Sequence, residues 1–140
     1  MIRVRMGRVP RSTRVRSAAL RTLVDRGTVP IRTQITDERY PPAVESAAYF
    51  IVSEALTNIS KHANARSAAI TIAPRHGTLL VEVADDGAGG AKPDASGGLQ
   101  GLADRVGALN GRLTIDSAPG TGTTIRAEIP CASLSQTTQR

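Results

Sequence analysis

The sequence is poor in aromatic residues, cysteine and long apolar runs, and each shortage narrows the class of protein. Its aromatic side chains are Tyr40, Tyr49 and Phe50, so the core must be built from aliphatic residues. The single Cys131 excludes an internal disulfide and a cysteine metal cluster, and we interpret it as a free thiol in a reducing compartment. No run of about 18 apolar residues exists, so we expect no membrane-spanning helix. No apolar stretch follows the N-terminal arginines, so we expect a cytoplasmic location.

Positive charge is abundant but confined to one end of the chain. The net charge is +6, and residues 1–16 hold six arginines and no acidic residue, which leaves the rest of the chain neutral. A nucleic-acid-binding domain would spread basic residues over a folded face, so we expect no nucleic-acid partner. We interpret 1–16 as a disordered basic arm, 17–131 as one domain and 132–140 as a polar tail.

Hydrophobic periodicity and turn residues predict the order of helices and strands. The predicted elements are a helix over 17–25, a strand over 31–36, a long helix over 42–63, a hairpin of 67–74 with 78–84, a mobile loop over 85–98, a helix over 99–109 and a hairpin of 112–117 with 123–129. The hairpins exclude a doubly wound parallel sheet, which needs a crossover helix between nearly every pair of strands. We therefore predict an α/β two-layer sandwich of the α+β kind, in which about three helices cover one face of a mixed, mostly antiparallel sheet.

The long helix carries the first candidate residues. Glu54 and Asn58 lie one turn apart at the edge of its apolar stripe, and Lys61 and His62 follow one further turn along. A carboxylate and an amide on a buried helix need partners, and a hydrated divalent cation with phosphates beyond it would supply them. Alternatively, the two side chains brace neighbouring backbone.

A second candidate segment follows the strand over 78–84. Asp85 stands at the strand end, and Gly87 and Gly89 come two and four residues later. The carboxylate suits an acceptor for an amino group, and the glycines let a ligand approach the backbone closely. An ordinary Asp-Gly turn is the alternative.

Glycines also precede the last helix and the last strand. Gly98, Leu99 and Gly101 open the helix directly after a glycine-rich loop, which offers free backbone N–H groups to an anion. The segment is neither a P-loop nor a dinucleotide-binding fingerprint, and a glycine hinge is the alternative. Thr123 opens the last strand after Gly122 and can turn its hydroxyl into a pocket between sheet and helix.

Together and in this order, these segments resemble the ATP-binding domain shared by histidine kinases, DNA gyrase B, Hsp90 and MutL, known as the Bergerat or GHKL fold. The matching residues are Glu54, Asn58, Lys61 and His62 for the N box, Asp85, Gly87 and Gly89 for the G1 box, Gly98, Leu99 and Gly101 for the G2 box, and Gly122-Thr123 for the terminal Gly-Thr element. Segments 47–58 and 101–106 are most similar to the histidine kinases that pair with NarL-type response regulators. The resemblance covers about residues 18–130.

The resemblance implies a role for each residue in binding ATP and Mg²⁺. Asn58 would hold Mg²⁺, and Glu54, a catalytic residue, would orient or deprotonate a water or lie in the outer shell of the metal. Lys61, also catalytic, would reach the phosphates. The remaining nucleotide-binding residues would be His62 at the rim, Asp85 at the adenine amino group, Gly87 and Gly89 where the chain passes close, Gly98, Leu99 and Gly101 over the phosphates, and Thr123 beside Asp85.

The chain departs from the family in its histidines and its lid. His62 belongs to the N box and His76 to a hairpin turn, so neither is suited to accept a phosphoryl group. The resemblance therefore implies a histidine-kinase catalytic domain, from a membrane-anchored sensor or a split kinase, that donates the γ-phosphate to a histidine on another domain or chain, with a response regulator downstream. Ser96 replaces a glycine and the lid is short, which leaves open a non-catalytic, ATP-responsive module. An anti-sigma-type serine kinase on the same fold is a further alternative.

Overall fold

The computed structural model describes Leu20 and residues 29–59, 65–87 and 98–131. Five strands and two helices lie within these residues. In chain order they are β1 (Ile31–Ile35), α1 (Pro42–Asn58), β2 (Ala68–Arg75), β3 (Thr78–Asp85), α2 (Gly98–Ala108), β4 (Arg112–Asp116) and β5 (Thr123–Pro130). Of the predicted helix over 17–25, Leu20 alone is described; it is helical and packs against the core. The predicted arm over 1–16 and tail over 132–140 lie outside the described residues and stay predictions.

The five strands form one open sheet in the order β1-β2-β3-β5-β4. β1 and β2 run parallel, and every other neighbouring pair is antiparallel. Parallel neighbours need a crossover connection, which α1 provides. The predicted mixed, mostly antiparallel sheet is therefore confirmed.

One face of the sheet carries the core. Side chains at alternate positions point to the same face, and in the three central strands these positions are apolar and buried. The members are Ala68, Ile70 and Ile72 of β2, Leu79, Val81 and Val83 of β3, and Ile125, Ala127 and Ile129 of β5. They form a single cluster with buried residues of both helices, so the helices cover this face. On the other face Arg126 and Glu82 form an exposed ion pair with an N–O distance of 2.6 Å.

Helix α1 begins where its sequence predicts. Pro42 stands in the first turn, where a missing N–H costs no hydrogen bond. The Tyr40 N–H, just before the helix, donates to Glu45 Oε2 at 3.0 Å. The predicted end at residue 63 lies outside the described residues, and the described helix ends at Asn58. No described helix is long and apolar enough to cross a membrane.

The turns follow the predicted glycine and asparagine signals. His76 and Gly77 join β2 to β3 with φ of 52° and 81°, the positive values that a tight hairpin turn of this kind requires. Asn110, with φ of 62°, ends α2, and the Gly111 N–H donates to the Val106 carbonyl at 2.9 Å in a Schellman-type cap. The two ends of the predicted loop over 85–98 belong to other elements, because Asp85 completes β3 and Gly98 begins α2, and 88–97 lie outside the described residues.

Candidate functional site

Two predicted site residues meet at one end of the sheet. Asp85 ends β3, Thr123 begins β5, and the two are cross-strand partners. They share strand parity with Val83 and Ile125, so they lie on the helix-covered face. Asp85 is half-buried, and its Oδ1 accepts the Gly87 N–H at 2.7 Å. Its other carboxylate oxygen has no partner among the described residues and can accept a ligand donor.

Gly122 allows the two strand ends to come this close. Its φ is 81°, and a Cβ on it would overlap the carbonyl oxygen of Asp85 and lie 3.1 Å from the Cα of Asp86. Only glycine fits both the backbone conformation and the contact. The sequence motif included Gly122, but its contact with Asp85 depends on the pairing of two strands that are distant in sequence.

Helix α1 carries Glu54 and Asn58 toward the same end of the sheet. Because β1 and β2 are parallel neighbours, the chain runs back along α1 before β2 starts at Ala68. Ala68 is the cross-strand partner of Asp85. The C-terminal end of α1 therefore lies at the end of the sheet that holds Asp85.

A contact between the helices shows which way Glu54 and Asn58 face. Phe50, Glu54 and Asn58 are spaced by four residues and form one stripe along α1. The guanidinium of Arg105 on α2 lies 4.1 Å from the centre of the Phe50 ring, a cation–π contact. Phe50 therefore lies on the side of α1 that faces α2, and Glu54 and Asn58 are turned about 40° and 80° from it around the helix axis, with Asn58 about 12 Å further along the helix. Glu54 and Asn58 are half-buried, and their side chains have no hydrogen-bond partner among the described residues.

The first turn of helix α2 also lies toward the end of the sheet that holds Asp85. A Cβ at Gly111, just after α2, would lie 2.7 Å from the Glu128 carbonyl, and Glu128 pairs with Arg112 at the start of β4. The C-terminal end of α2 therefore lies at the end of the sheet opposite Asp85. Gly98, about 10 Å before Arg105 along the helix, lies toward the Asp85 end.

On the side of α2 that carries Arg105, the positions nearer the start of the helix are glycines. Gly101 and Gly98 precede Arg105 by four and seven residues, so they lie on the same side of α2. A Cβ placed on Gly101 would meet nothing within 4 Å. Among the described residues, Glu54 and Asn58 on α1 therefore lie toward the side of α2 that carries Gly98 and Gly101; the space between these two sides is called the crevice below, and the first N–H groups of α2 have no partner within their own helix. Leu99 is 5% exposed and packs in the core, so only its backbone can meet a ligand.

Two site residues were not predicted from the sequence. Asp86 accepts the N–H groups of Arg66 and Ser67 at 2.8 and 3.0 Å and the Ser67 hydroxyl at 3.1 Å. The Ser67 and Arg66 N–H groups hold the pKa of the Asp86 carboxyl below its usual value. Asp86 thereby ties the chain after α1 to the end of β3. The Ser117 hydroxyl lies 2.6 Å from that of Thr123. No sequence motif or periodic spacing marks Asp86 or Ser117 as a site residue.

The remaining predicted residues lie outside the described part of the chain. Lys61 and His62 fall within 60–64 and Gly89 within 88–97, so their roles stay predictions. Within the described ranges no group of three or more His, Cys, Asp or Glu side chains could hold a metal ion. The Asn58 amide, open to the crevice, suits Mg²⁺, which binds few protein ligands and keeps waters and substrate phosphates.

Comparison with known proteins gives the class of this domain. Residues 43–133 match the family described as "Histidine kinase-, DNA gyrase B-, and HSP90-like ATPase". The match covers more than half of the chain, so the chain belongs to this family.

The relatives of this chain within the family are histidine kinases. It is 40% identical over 96 residues to the signal transduction histidine-protein kinase/phosphatase DegS of Brevibacillus brevis, covering 66% of this chain and 25% of DegS. It is 34% identical over 96 residues to the sensor histidine kinase YxjM of Bacillus subtilis, covering 69% of this chain and 24% of YxjM. The chain is thus similar to one part of these histidine kinases, and it spans about a quarter of the length of these curated relatives.

Solved structures of histidine kinases have a similar fold. The histidine kinase domain of a blue-light activated histidine kinase from Erythrobacter litoralis EL346 superposes with a TM-score of 0.64 and 26% identity, covering 84% of this chain and 62% of that one. The mycobacterial sensor histidine kinase MprB gives a TM-score of 0.65 at 18% identity, covering 88% and 96% of the two chains, and supports the fold alone.

Proposed function

We propose that this domain binds Mg-ATP in the crevice between α1 and α2 and donates the γ-phosphoryl group to a histidine on a separate domain or chain. The observation that carries the proposal is the convergence of four elements at one end of the sheet. These are the end of α1 with Asn58, the end of β3 with Asp85, the start of β5 with Thr123 and the first turn of α2 at Gly98.

The adenine end of the site is assigned to Asp85 and Thr123. One oxygen of Asp85 is taken by the Gly87 N–H, and the other is left to accept the exocyclic amino group of adenine. A guanine base presents a carbonyl oxygen at that position, which a carboxylate repels. The Thr123 hydroxyl lies one strand away and can bind the ring or a bridging water. This arrangement favours adenine nucleotides.

The phosphate end is assigned to the crevice. Asn58 would hold Mg²⁺ through its amide oxygen, and the ion would neutralise phosphate charge. The backbone N–H groups of Gly98 and Leu99 begin α2 and face the phosphates with the positive end of the helix dipole. Lys61 would add a positive charge, His62 would line the rim, and Gly87 and Gly89 would let the lid chain pass close.

The proposed reaction transfers the γ-phosphoryl group from the β–γ bridging oxygen of ATP to a ring nitrogen of the acceptor histidine. A lone pair on the acceptor imidazole forms the N–P bond, and the bond from the γ-phosphorus to the β–γ bridging oxygen breaks, so that ADP leaves with that electron pair. The imidazole loses its other N–H proton to a base, and Glu54, four residues before Asn58 on α1, would accept it directly or through a water. Catalysis by this domain is placement of the γ-phosphoryl group and stabilisation of its charge.

The acceptor histidine belongs to a partner. His76 lies in the β2–β3 turn, at the start of β3, while Asp85 ends that strand about 23 Å away. His62, the other histidine, belongs to the proposed site itself. The domain therefore needs a histidine-bearing domain or subunit, with a response regulator downstream. The histidine-kinase relatives favour this branch over a serine kinase on the same fold.

The test is binding followed by transfer. We expect calorimetry to show Mg-ATP binding by the purified chain, and radiolabelled ATP to label a histidine-bearing dimerisation domain from a related kinase in trans. The label should be lost in acid, because a phosphoramidate hydrolyses there, and a partner lacking its histidine should stay unlabelled. Absence of ATP binding would refute the site. Binding without transfer to any histidine domain tried would favour the ATP-responsive, non-catalytic module instead.

A further inference from the structure

Three polar residues form a row across the end of the sheet. Thr123 is the cross-strand partner of Asp85, and the register of β4 with β5 places Ser117, just past the end of β4, opposite Thr123. Residues at directly opposed positions share a face, so all three side chains lie on the helix-covered side. The Ser117 and Thr123 hydroxyl oxygens are 2.6 Å apart, a short hydrogen bond in which either can be the donor.

The carboxylate of Asp85 favours one direction of that hydrogen bond. A carboxylate offers acceptors only, whereas a hydroxyl has one proton and two lone pairs. If Thr123 gave its proton to Ser117, it would turn only lone pairs toward Asp85 and toward any water between them, which is repulsive. If Ser117 donates, the Thr123 proton stays available on the Asp85 side. The second direction is favoured by charge.

From this row we infer that Ser117 is a positioning residue of the nucleotide site: it donates to Thr123 and so orients the Thr123 hydroxyl proton toward Asp85 and the bound adenine. The inference rests on the proposed function, because it assigns Asp85 and Thr123 to adenine. Ser117 itself lies one strand further out and acts on the ligand through Thr123.

A double-mutant cycle on Mg-ATP affinity tests the inference. We expect Ser117→Ala to weaken binding about 3-fold to 10-fold, the effect of losing one neutral hydrogen bond. Thr123→Val removes the hydroxyl that Ser117 orients, so adding Ser117→Ala to it should change the affinity no further. Ser117→Thr keeps a hydroxyl at this position and should retain the wild-type affinity.

The same turn supplies a matched control. Thr121 also loses a hydroxyl hydrogen bond on truncation, since its Oγ1 donates to the Ala118 carbonyl at 2.7 Å, and that hydrogen bond does not involve Thr123. Thr121→Ala should lower the urea midpoint of unfolding as Ser117→Ala does and leave the affinity unchanged.

The outcomes separate the two ideas. If the wild type binds Mg-ATP and Ser117→Ala binds equally well, the inference is wrong and the proposed function stands. The inference is also wrong if Ser117→Ala weakens binding by the same factor with and without Thr123, or if Thr121→Ala weakens it as much. If the wild type itself binds no nucleotide, the proposed function fails and takes the inference with it.

Discussion

Replacing Gly122 by alanine should damage both the fold and the nucleotide site, and a matched glycine allows the cause to be isolated. Gly122 and Gly120 have nearly the same backbone angle, with φ of 81° and 83°. A Cβ on Gly120 would meet nothing within 4 Å, whereas a Cβ on Gly122 would overlap the carbonyl oxygen of Asp85. The two substitutions therefore share the backbone strain and differ in the clash.

The magnitudes follow from these two terms. An alanine at positive φ costs about 1–2 kcal/mol relative to glycine, and both variants lose this amount. Overlap with packed backbone adds about 1–3 kcal/mol when the surroundings must shift. We therefore expect Gly120→Ala to lower the free energy of unfolding by about 1–2 kcal/mol and Gly122→Ala by about 2–5 kcal/mol. The shift at Gly122 moves Asp85, so Mg-ATP affinity should fall at least about 10-fold in Gly122→Ala alone.

Urea unfolding and calorimetry measure the two effects. Both variants should unfold in one transition, with unchanged dependence on urea, so that the midpoints report stability. Equal destabilisation by the two substitutions would refute the close approach of β5 to Asp85. Normal Mg-ATP affinity in Gly122→Ala would refute the assignment of this strand end to the nucleotide.

Three further predictions concern single side chains. Asp85→Asn keeps an oxygen for the Gly87 N–H but loses the charged acceptor, so calorimetry should show Mg-ATP affinity reduced about 10-fold to 100-fold with little change in thermal stability; unchanged affinity would contradict the adenine contact. Because the pKa of Asp86 is lowered in the folded state, the ionised Asp86 carboxylate stabilises the fold above the usual carboxyl pKa, and this stabilisation is lost as pH falls through the folded pKa. The melting temperatures of the wild type and of Asp86→Ala should therefore differ at pH 7 and converge toward pH 3. A constant difference would exclude the carboxylate as its source. The buried Tyr40 hydroxyl has no hydrogen-bond partner within the part of the chain that the structure describes, and burial, with smaller effects of Glu38 and Cys131, raises the pKa of Tyr40 to about 12. Tyr40→Phe should stabilise the domain by about 1 kcal/mol in urea unfolding, and a loss of stability would show that the hydroxyl is partnered.

Local patterns predicted the fold because its elements are locally encoded. The alternation in β2, with Ala68, Ile70 and Ile72 buried, and the spacing of Leu99, Leu102 and Val106 in α2 each mark one buried face. Turn chemistry placed the hairpins at His76-Gly77 and at Gly120 to Gly122. Apart from the C-terminal end of α1, the described element ends differ from the predicted ones by at most one residue, because a helix or strand end depends on hydrogen bonds to neighbouring elements.

The sequence singles out Asp85, Thr123, Asn58 and Glu54 as candidate site residues because they stand at element ends or on one helical stripe next to apolar runs. Their roles toward ATP remain predictions until binding is measured. Asp86 is not among the predicted residues, although its carboxylate accepts a hydrogen bond from Ser67, which is 19 residues away in sequence. No periodicity links two such positions.

Spacings of two to four residues are enough to predict the type and order of the elements, the aliphatic core and the set of polar residues left at its edges. Which of those polar residues meet depends on how the strands pair. The order of strands places β5 beside β3, and so Gly122 against Asp85 and Thr123 between Asp85 and Ser117. These contacts join segments that are distant in the chain, and they form only when burial of the common apolar face fixes the strand register.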